Sequence, residues 1–427
     1  MVPGTARIVE DPRKWRYPAA GDAEIRVVPG TDREGCAVVA ADFDPLADEF
    51  ARDPHAVWAR LRGECPVARG ARWDFWALTR YDDVVAASSR PGDFTSSLGI
   101  VVPKNPVSGR RAPLHFDPPE HPRYRRPLNR VFAEERLPSL EPEMHELAAE
   151  LLEPFVAAGG GEFVGAVSSP YAGLVFTDLL RLPRELGREL NASGERFEHA
   201  QAHFDVETAE VENQHLYAEC RKIVAARKAE PLDPGEDVVT ALLAVRIDGE
   251  PLEDEFVAGS LRQLLIAAHV APTALLASAV DHLARHPGLQ EELRADPAAI
   301  PAALEELLRV YAPNQGFART ATRDIELRGR TIGAGEMVAL VLPSANRDPA
   351  VFTDPESFVA GRSPNPHLAF GHGPHKCAGA AVARAELRIA LEELLARTRA
   401  FERAGEPAML GWPVYGPETL PLACVPA

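Results

Sequence analysis

"FGHGPHKCAG" (Phe370–Gly379) is the stretch that decides the fold of this chain. An irregular, glycine-rich loop leads to Cys377, and a long helical pattern begins directly after it. The positive end of a helix dipole and the free backbone N–H groups at such a position favour a thiolate. Gly373 and Gly379 allow the backbone to come close to something flat and bulky. The loop therefore predicts a functional role for Cys377.

The cysteines and histidines also have plainer interpretations. A buried cysteine is usually just a small apolar side chain. That interpretation is given to the other four, Cys36, Cys65, Cys220 and Cys424. A zinc site built from His372, His375 and Cys377 is disfavoured, because no second ligand pair with ordinary spacing follows. The sparse cysteines form no CxxC pair, which indicates reduced thiols and a cytoplasmic protein.

Charge and hydropathy exclude several classes of protein. The chain has 427 residues, of which 46% are hydrophobic, and a formal net charge of −17. Such an acidic protein is expected to bind neither nucleic acid nor an anionic membrane surface. The N-terminus lacks the apolar core of a signal peptide. The longest apolar run, 264–280, contains a histidine and a proline, so we expect a core helix there rather than a membrane span.

Helical periodicity dominates the chain from about residue 118 to 310. Helices are predicted at 53–62, 80–89, 121–133, 141–157, 169–181, 186–200, 204–228, 236–246, 253–285, 288–294, 300–311 and 377–398. Short strands are predicted at 74–80, 324–328 and 337–341. The pattern is typical of a mainly α protein with small β-sheets.

The chain shows no internal repeat and no boundary linker. Residues 1–40 are rich in proline, glycine and charge, which predicts an irregular N-terminal arm. Residues 41–427 are expected to form a single domain. Residues 90–115 form a long loop, and loops of that length inside compact proteins usually serve function. A proline-rich irregular segment, 343–369, precedes the last helix.

Four motifs in order resemble the cytochrome P450 family. The spacing Phe370-x-x-Gly373-x-x-x-Cys377-x-Gly379 resembles that family's haem-binding loop. The other three are "EELLRVYAP" with Glu306 and Arg309, "ANRDPAVFTDPESF" (345–358) and "DPPEHPRYRR" (117–126). The likeness runs from about residue 45 to the C-terminus. It implies the cytochrome P450 fold, in which the haem lies between a long distal helix and the cysteine-bearing loop and helix.

The resemblance assigns roles to residues. Cys377 would be the proximal thiolate ligand of the iron of haem b, with Phe370 packed beside the sulfur and Gly371 and Gly379 in the same loop. The cations that match the family's positions for the haem propionates are His121, Arg125, Arg319 and His375. Glu306 and Arg309 would form a buried structural pair rather than take part in catalysis.

The stretch "AAHVAPT" (267–273) departs from the family. There the distal helix usually carries an acid and a threonine, which organise water and supply protons while dioxygen is activated. Counting back from "LARHP" places Val270 at the acid and Ala271 at the threonine, with Thr273 two positions beyond. A kink could swing Thr273 in, or ordered water could suffice. Alternatively, the protons come from the substrate or another side chain, or the reaction does not need them in the usual way.

Pro272 lies inside this helical pattern, where it cannot donate to the carbonyl of Ala268. The resemblance places that carbonyl beside the oxygen site, where it could hold a water or a substrate hydroxyl. We therefore predict a local kink at 268–272 and count Ala268, Ala271, Pro272 and Thr273 as the catalytic stretch.

The substrate pocket is expected to be mainly apolar with a few polar anchors. Its predicted lining comes from the loop 90–115, from 204–217, from the distal helix, from 313–317 and from 411–415. The individual candidates are Leu98, Val101, His269, Asn314, Gln315, Phe317 and Tyr415. No flavin or nicotinamide fingerprint follows the haem loop, so a separate ferredoxin and its reductase are the expected electron donors. Lys376, Arg384 and Arg388 could form their docking patch.

The resemblance thus implies a soluble bacterial-type haem-thiolate monooxygenase that acts on a small or medium-sized organic molecule. Hydroxylation, demethylation and oxidative coupling are all open. Peroxide-driven or substrate-assisted oxidation is the alternative that the altered distal stretch favours. A haem-based gas or ligand sensor is a third interpretation, disfavoured because no output domain is visible.

Overall fold

The computed structural model describes residues 43–103 and 111–427. The predicted arm at 1–40 lies outside these residues, as does part of the predicted loop at 90–115. Helices make up most of the described chain. They are α1 (Asp48–Arg52), α2 (Pro54–Glu64), α3 (Tyr81–Ser89), α4 (His121–Val131), α5 (Leu137–Ala157), α6 (Ser169–Leu179), α7 (Arg184–Ala202), α8 (Val206–Ala229), α9 (Val238–Leu243), α10 (Asp254–Ala284), α11 (Pro287–Ala295), α12 (Ile300–Val310), α13 (Leu342–Ala345) and α14 (Ala380–Arg397).

The predicted helices are confirmed, with three boundaries that differ by more than two residues. One is the start of α14, which lies at Ala380 rather than at residue 377. The prediction places the start of α5 at residue 141, but this helix begins four residues earlier, at Leu137, with Pro138 in its first turn. Packing of α5 against α14 and α6 holds Pro142 inside the helix. The predicted helix at 236–246 ends early, because Asp248 and Gly249 adopt positive φ and turn the chain into a hairpin.

The strands form small sheets. They are β1 (Val67–Arg69), β2 (Phe75–Leu78), β3 (Phe94–Thr95), β4 (Gly160–Glu162), β5 (Arg246–Ile247), β6 (Glu250–Pro251), β7 (Ala318–Ala321), β8 (Ile325–Leu327), β9 (Arg330–Ile332), β10 (Met337–Leu340), β11 (Thr398–Arg403), β12 (Ala408–Leu410), β13 (Gly416–Thr419) and β14 (Pro421–Pro426). The largest sheet has the order β1-β2-β10-β7-β3, with β10 parallel to β2 and antiparallel to β7.

The three predicted strands are confirmed as β2, β8 and β10. The sequence analysis missed β7, although it lies inside the largest sheet, because all four of its residues are buried and so give no alternating pattern. It also missed β11–β14, which pair β11 with β14 and β12 with β13 after the last helix.

Helix α10 runs through the largest hydrophobic core, where it packs against α6, α8 and β13. By length and composition it could cross a membrane, but half of its most apolar stretch is buried inside the protein. It is therefore a core helix, as predicted. The helix continues without a break through Pro272, so the predicted kink does not interrupt it. What Pro272 removes is a single hydrogen bond inside an otherwise regular helix.

A cluster of aromatic rings joins the two ends of the described chain. We call it the aromatic cluster; its members are Phe43, Phe50, Trp58, Phe75 and Trp412. Neighbouring rings lie 4.9–6.4 Å apart, mostly edge to face. The indole of Trp412 donates to the carbonyl of Val102, so the cluster also holds the segment after β3.

Candidate functional site

Two glycines shape the loop that carries Cys377. Gly371 and Gly373 have φ of +71° and +72°, a backbone region that side chains rarely adopt. A Cβ on Gly373 would lie 2.4 Å from the carbonyl oxygen of Ser88, so α3 and the loop touch through backbone alone. The amide of Cys377 donates to the carbonyl of Phe370 over 2.8 Å, which closes the loop just before α14.

The thiol of Cys377 faces an internal cavity of about 640 Å³. Burial raises the pKa of this thiol, and the Gly379 amide and the Arg125 guanidinium, which lower it, do not offset that effect. The predicted helix-terminal stabilisation of the thiolate is therefore outweighed in the protein alone. A coordinating metal ion deprotonates a thiol outright, so the position suits a metal-bound sulfur.

The opposite wall of the cavity is α10. Ala267, Ala268, Val270, Ala271 and Pro272 all line it. This stretch offers no hydroxyl or carboxyl group to the cavity. The cavity thus lies between the cysteine loop and the middle of the longest helix, the arrangement that the sequence resemblance implies.

Two arginines and a histidine line the cavity beside the loop. Arg125, Arg319 and His375 are all among its lining residues. Burial lowers the pKa of Arg319 to about 10, still well above neutral pH, so the guanidinium stays charged. The Arg125 guanidinium also donates to the carbonyl of Lys376, which ties α4 to the cysteine loop. Together they could bind the two carboxylates of a porphyrin.

His121 lies behind His375 with the two ring centroids 4.4 Å apart. Within the described chain, the Nε2 atom of His121 is buried without a hydrogen-bond partner. Burial and the nearby His375 and Arg125 lower its pKa to about 4, so the ring is neutral at pH 7. His375 in turn contacts Ser96 Oγ through Nε2 at 3.2 Å. An orphaned nitrogen at this position fits a ligand group such as a haem propionate.

The zinc alternative finds no support in the described part of the chain. Its possible metal-binding groups combine His199, His203 and Glu418 or Glu189, His215 and Glu219, and neither set includes the loop histidines. Four cysteines lie in that part, Cys65, Cys220, Cys377 and Cys424, and none of them is joined to another by a disulfide bond.

Glu306 and Arg309 form a fully buried ion pair. Their side chains are 0% exposed and share two hydrogen bonds of 2.8 Å. Arg309 also donates to the carbonyls of Asn346, Pro355 and Ser357. The pair therefore fixes the irregular segment between β10 and the cysteine loop, and it does not line the cavity.

Thr273 does not reach the cavity, so the prediction that a kink swings it in is wrong. Its Oγ1 is buried and has no hydrogen-bond partner among the described residues. Its carbonyl accepts a bond of 2.8 Å from Ser168 Oγ on the opposite side of α10 from the loop. Continuous helical geometry through Pro272 keeps Thr273 on that far side.

His269 also points away from the cavity, against the prediction that it lines the pocket. Its Nδ1 lies 2.9 Å from Glu198 Oε1 of α7, and its Nε2 lies 2.8 Å from Ser169 Oγ of α6. Ser169 Oγ is also bonded to Glu195. Glu198 lines the cavity. These four side chains form one hydrogen-bonded chain across α7, α10 and α6, which the sequence analysis did not detect.

The other pocket predictions divide into two groups. Leu98, Val101, Asn314 and Phe317 line the cavity as predicted. Gln315 and Tyr415 do not.

Both exceptions have other partners. Gln315 Oε1 accepts a bond of 2.7 Å from the indole of Trp58, and Tyr415 packs edge-on to His55. The predicted segment 204–217 supplies only Phe204, because α8 turns the rest away.

Arg111, Arg262 and Gln263 line the cavity from segments predicted to do so, the 90–115 loop and the distal helix, but none was named as a candidate. Gln263 accepts a bond of 2.8 Å from Arg111 Nη1. Arg262 is 1% exposed, although it stands in the most apolar helix of the chain. The signal in the sequence was that single arginine in "GSLRQLLIAA", which periodicity alone treats as a surface residue.

The predicted docking patch is largely paired within the protein. Arg384 bonds to Glu305, and Arg388 bonds to Glu141 and Glu392. Lys376 remains exposed at the cysteine loop. Near it, α4 exposes a row of arginines, Arg123, Arg126 and Arg130.

Known proteins share this sequence and structure. The family model described as cytochrome P450 matches residues 165–407, which include the cysteine loop. Nocardicin C N-oxygenase from Nocardia uniformis subsp. tsuyamanensis is 34% identical over 390 residues, covering 86% of this chain and 94% of its own length. Mycinamicin IV hydroxylase/epoxidase from Micromonospora griseorubida is 34% identical, covering 81% of this chain and 89% of its own.

A solved structure agrees with the sequence matches. Cytochrome P450 CYP109Q5 from Chondromyces apiculatus superposes with a TM-score of 0.80 at 31% identity, covering 91% of this chain and 99% of the other. The family model matches more than half of the chain, and the relatives are similar to it along most of their length. The chain belongs to the cytochrome P450 family and has that family's fold and haem-dependent monooxygenase class.

Proposed function

We propose that the protein is a haem b monooxygenase that oxidises a small or medium-sized, mainly apolar organic molecule with dioxygen. The observation that carries the proposal is that Cys377 and the middle of α10 face one cavity from opposite sides. We propose a single cytochrome P450 domain over residues 41–427, located in the cytoplasm.

The residues of the site divide into holding and shaping roles. Cys377 would coordinate the iron, with Phe370, Gly371 and Gly379 around the sulfur. Arg125, Arg319, His121 and His375 would bind the propionates. A haem iron with an axial thiolate supplies the activation of dioxygen by two electrons. The protein contributes the apolar wall of α10, which orients the substrate and excludes water.

The substrate class follows from the cavity and the relatives. The lining is mainly apolar, as is usual for pockets that bind organic molecules of drug size. The relatives are named for their action on nocardicin C and mycinamicin IV. These names support a role in secondary metabolism for this chain as well, with a different substrate.

Electrons are proposed to come from a separate ferredoxin and its reductase. The surface over the cysteine loop supports a docking site of positive charge at Lys376, Arg126 and Arg130, all exposed. It replaces the patch predicted from Arg384 and Arg388, whose charges are used internally. Such a surface on an acidic protein would steer a negatively charged small protein to the haem.

Spectroscopy and turnover test the proposal. Reduced enzyme with carbon monoxide should show the red-shifted Soret band of a thiolate ligand, and Cys377→Ser should abolish it. Wild-type enzyme with NADH, a ferredoxin and its reductase should consume oxygen and oxidise a ligand found by a spin-state screen. A Soret band without this red shift in the carbon monoxide complex of the wild-type enzyme would overturn the assignment of Cys377 as the sulfur ligand.

The apolar lining of α10 favours a second candidate, peroxide-driven or substrate-assisted oxidation. No hydroxyl or carboxyl from residues 267–273 faces the cavity. Turnover with hydrogen peroxide should then match or exceed turnover with NADH, ferredoxin and reductase. Much slower turnover with peroxide would reject this candidate.

A further inference from the structure

The guanidinium of Arg262 is buried between helices α7, α8 and α10. Arg262 is 1% exposed, and within the described residues its Nε and Nη2 atoms have no acceptor. Its Cζ lies 4.3 Å from the ring centre of Phe197 on α7 and 5.9 Å from that of Tyr217 on α8. An arginine carries five N–H donors in a fixed fork, so several stay unused here.

The aromatic contacts do not compensate for this burial. A cation–π contact is weaker than the hydration that a guanidinium loses when it leaves water. Buried charges in proteins are otherwise paired with an opposite charge. An unpaired one beside a ligand cavity indicates a partner that arrives with the ligand, because Arg262 lines that cavity.

The charges near Arg262 leave this corner positive. Arg111, 6% exposed, lines the same part of the cavity, and the partner of its Nη1 atom is the neutral amide of Gln263. Glu198 is the acid within electrostatic reach of Arg262, but its carboxylate is bonded to His269. Besides Arg125 and Arg319 near the cysteine loop, two further arginines therefore line this corner of the cavity in a protein whose net charge is −17.

We propose that Arg262, with Arg111 and Gln263, forms an anion subsite that binds a carboxylate of the substrate. The planar fork of a guanidinium matches a carboxylate with two parallel hydrogen bonds, which favours this group over a hydroxyl or amide. The inference rests on the proposed function and narrows its substrate class to organic acids with an apolar body.

Helix geometry gives the expected length of the substrate. Arg262 precedes Ala268 by six residues, which is about 9 Å along the axis of α10. The atom that is oxidised should therefore lie roughly 9 Å from the carboxylate carbon. Acids much shorter than this should bind without placing any carbon beside the distal wall.

Ligand binding tests the subsite without turnover. Aryl-alkanoates of increasing chain length and their primary amides are titrated into ferric enzyme by calorimetry and by the Soret spin-state shift. Wild type should bind the best acid at least tenfold more tightly than its amide. Arg262→Met should lose this preference, while the exposed Arg399→Met keeps it.

Stability separates a ligand-binding role from a structural one. Without ligand, Arg262→Met should unfold at the same or a higher temperature, because an apolar chain replaces an unpaired charge. A clear fall in that temperature, or equal binding of acid and amide by wild type, would overturn the proposal. Absence of the red-shifted thiolate Soret band from the carbon monoxide spectrum of the wild-type enzyme would instead reject the proposed function.

A different observation supports a second inference. The chain Glu195–Ser169–His269–Glu198 links a half-buried carboxylate on α7 to a carboxylate at the cavity. At Gly194, α7 packs directly against the imidazole, and a Cβ there would lie in van der Waals contact with His269 Nδ1 at 3.6 Å. The charged groups around the ring are Glu195 and Glu198 from α7 and Arg262 from α10.

We infer that these four side chains conduct protons into the cavity in place of the acid and alcohol missing from α10. Ser169 passes a proton from Glu195 to Nε2 of His269, and Nδ1 gives one to Glu198, which releases it to water in the cavity. Each transfer breaks one O–H or N–H bond and forms another. The total charge of the four side chains is restored when Glu195 takes up a proton from solvent.

Interrupting the chain tests this route. Ser169→Ala and Glu198→Gln should each raise the hydrogen peroxide released per NADH at least threefold, whereas Thr273→Val should not change it. NMR titration provides a readout independent of turnover: the acids around His269 raise its pKa, so Glu198→Gln should lower it. Normal coupling in Ser169→Ala, or a change in Thr273→Val as large as in Ser169→Ala, would refute the route.

Discussion

Replacing Glu306 by glutamine should release the segment that precedes the haem loop. The carboxylate accepts five hydrogen bonds while it is 0% exposed. Oε1 accepts from Arg309, Val359 and Arg362, and Oε2 accepts from Arg309 and Asn365. Whichever oxygen becomes the amide nitrogen, at least two N–H donors then face another donor.

The size of the effect follows from burial. Breaking a buried ion pair by removing one partner costs about 3–5 kcal/mol, since the other charge is left uncompensated. Two guanidinium groups, of Arg309 and Arg362, lose their counter-charge in Glu306→Gln. At about 2.1 cal/mol/K per residue, 4 kcal/mol lowers the unfolding temperature by about 4 °C in a chain of 427 residues.

The assay compares Glu306→Gln with Glu305→Gln, its neighbour with the same change of charge. Glu305 is 34% exposed at its side chain and bonds to Arg384 and His367, so its loss should cost under about 1 kcal/mol. Unfolding is followed by circular dichroism and by the Soret band, and haem ligation by the carbon monoxide spectrum. Equal unfolding temperatures and equal thiolate signals in the two variants would refute the reasoning.

Three further changes have definite expected outcomes. Gly373→Ala should cost more than about 2 kcal/mol and weaken the thiolate Soret band, because its Cβ would meet the Ser88 carbonyl at a positive φ; an unchanged unfolding temperature would contradict this. Hydrogen bonds from a histidine and an arginine outweigh burial and lower the pKa of Glu305 to about 2 from 4.5. Its contribution to stability is present above pH 4.5 and fades as the pH falls toward 2, so unfolding temperatures of wild type and Glu305→Gln should converge in acid. Pro272→Ala should raise the unfolding temperature by about 1–3 °C, because it restores a backbone donor for Ala268; a fall would show that the proline stabilises the helix.

Much of the fold and the proximal side of the site could be predicted from sequence, since the signals there are local. Cys377, its glycines, and the pair Glu306 and Arg309 lie in short motifs whose spacing survives folding. Long periodic helices such as α10 were equally clear. The structure and the role of these motifs and helices depend mainly on residues that are close to them in the sequence.

The distal side could not be predicted in the same way. Arg262, Glu198 and Ser169 come from three helices, and only tertiary packing brings them near one another. Of the three, Arg262 and Glu198 line the cavity. His269 was placed in the pocket because periodicity cannot tell the cavity face of a core helix from its other buried faces. For Thr273 the error was to expect the proline to turn this residue toward the cavity, whereas α10 continues through Pro272 and Thr273 does not line the cavity.

The aromatic cluster stiffens the wall of the cavity that contains Trp412 more than the rest of the lining. Trp412 belongs both to the cluster and to the lining, so that wall is tied to α2 and to the first described residues of the chain. Leu98 and Phe317 also line the cavity, but they are 51% and 37% exposed and are not members of the aromatic cluster. Opening motions have their lowest cost where the fewest packed contacts break. A substrate should therefore enter and leave past Leu98 and Phe317, while the tryptophan wall stays still.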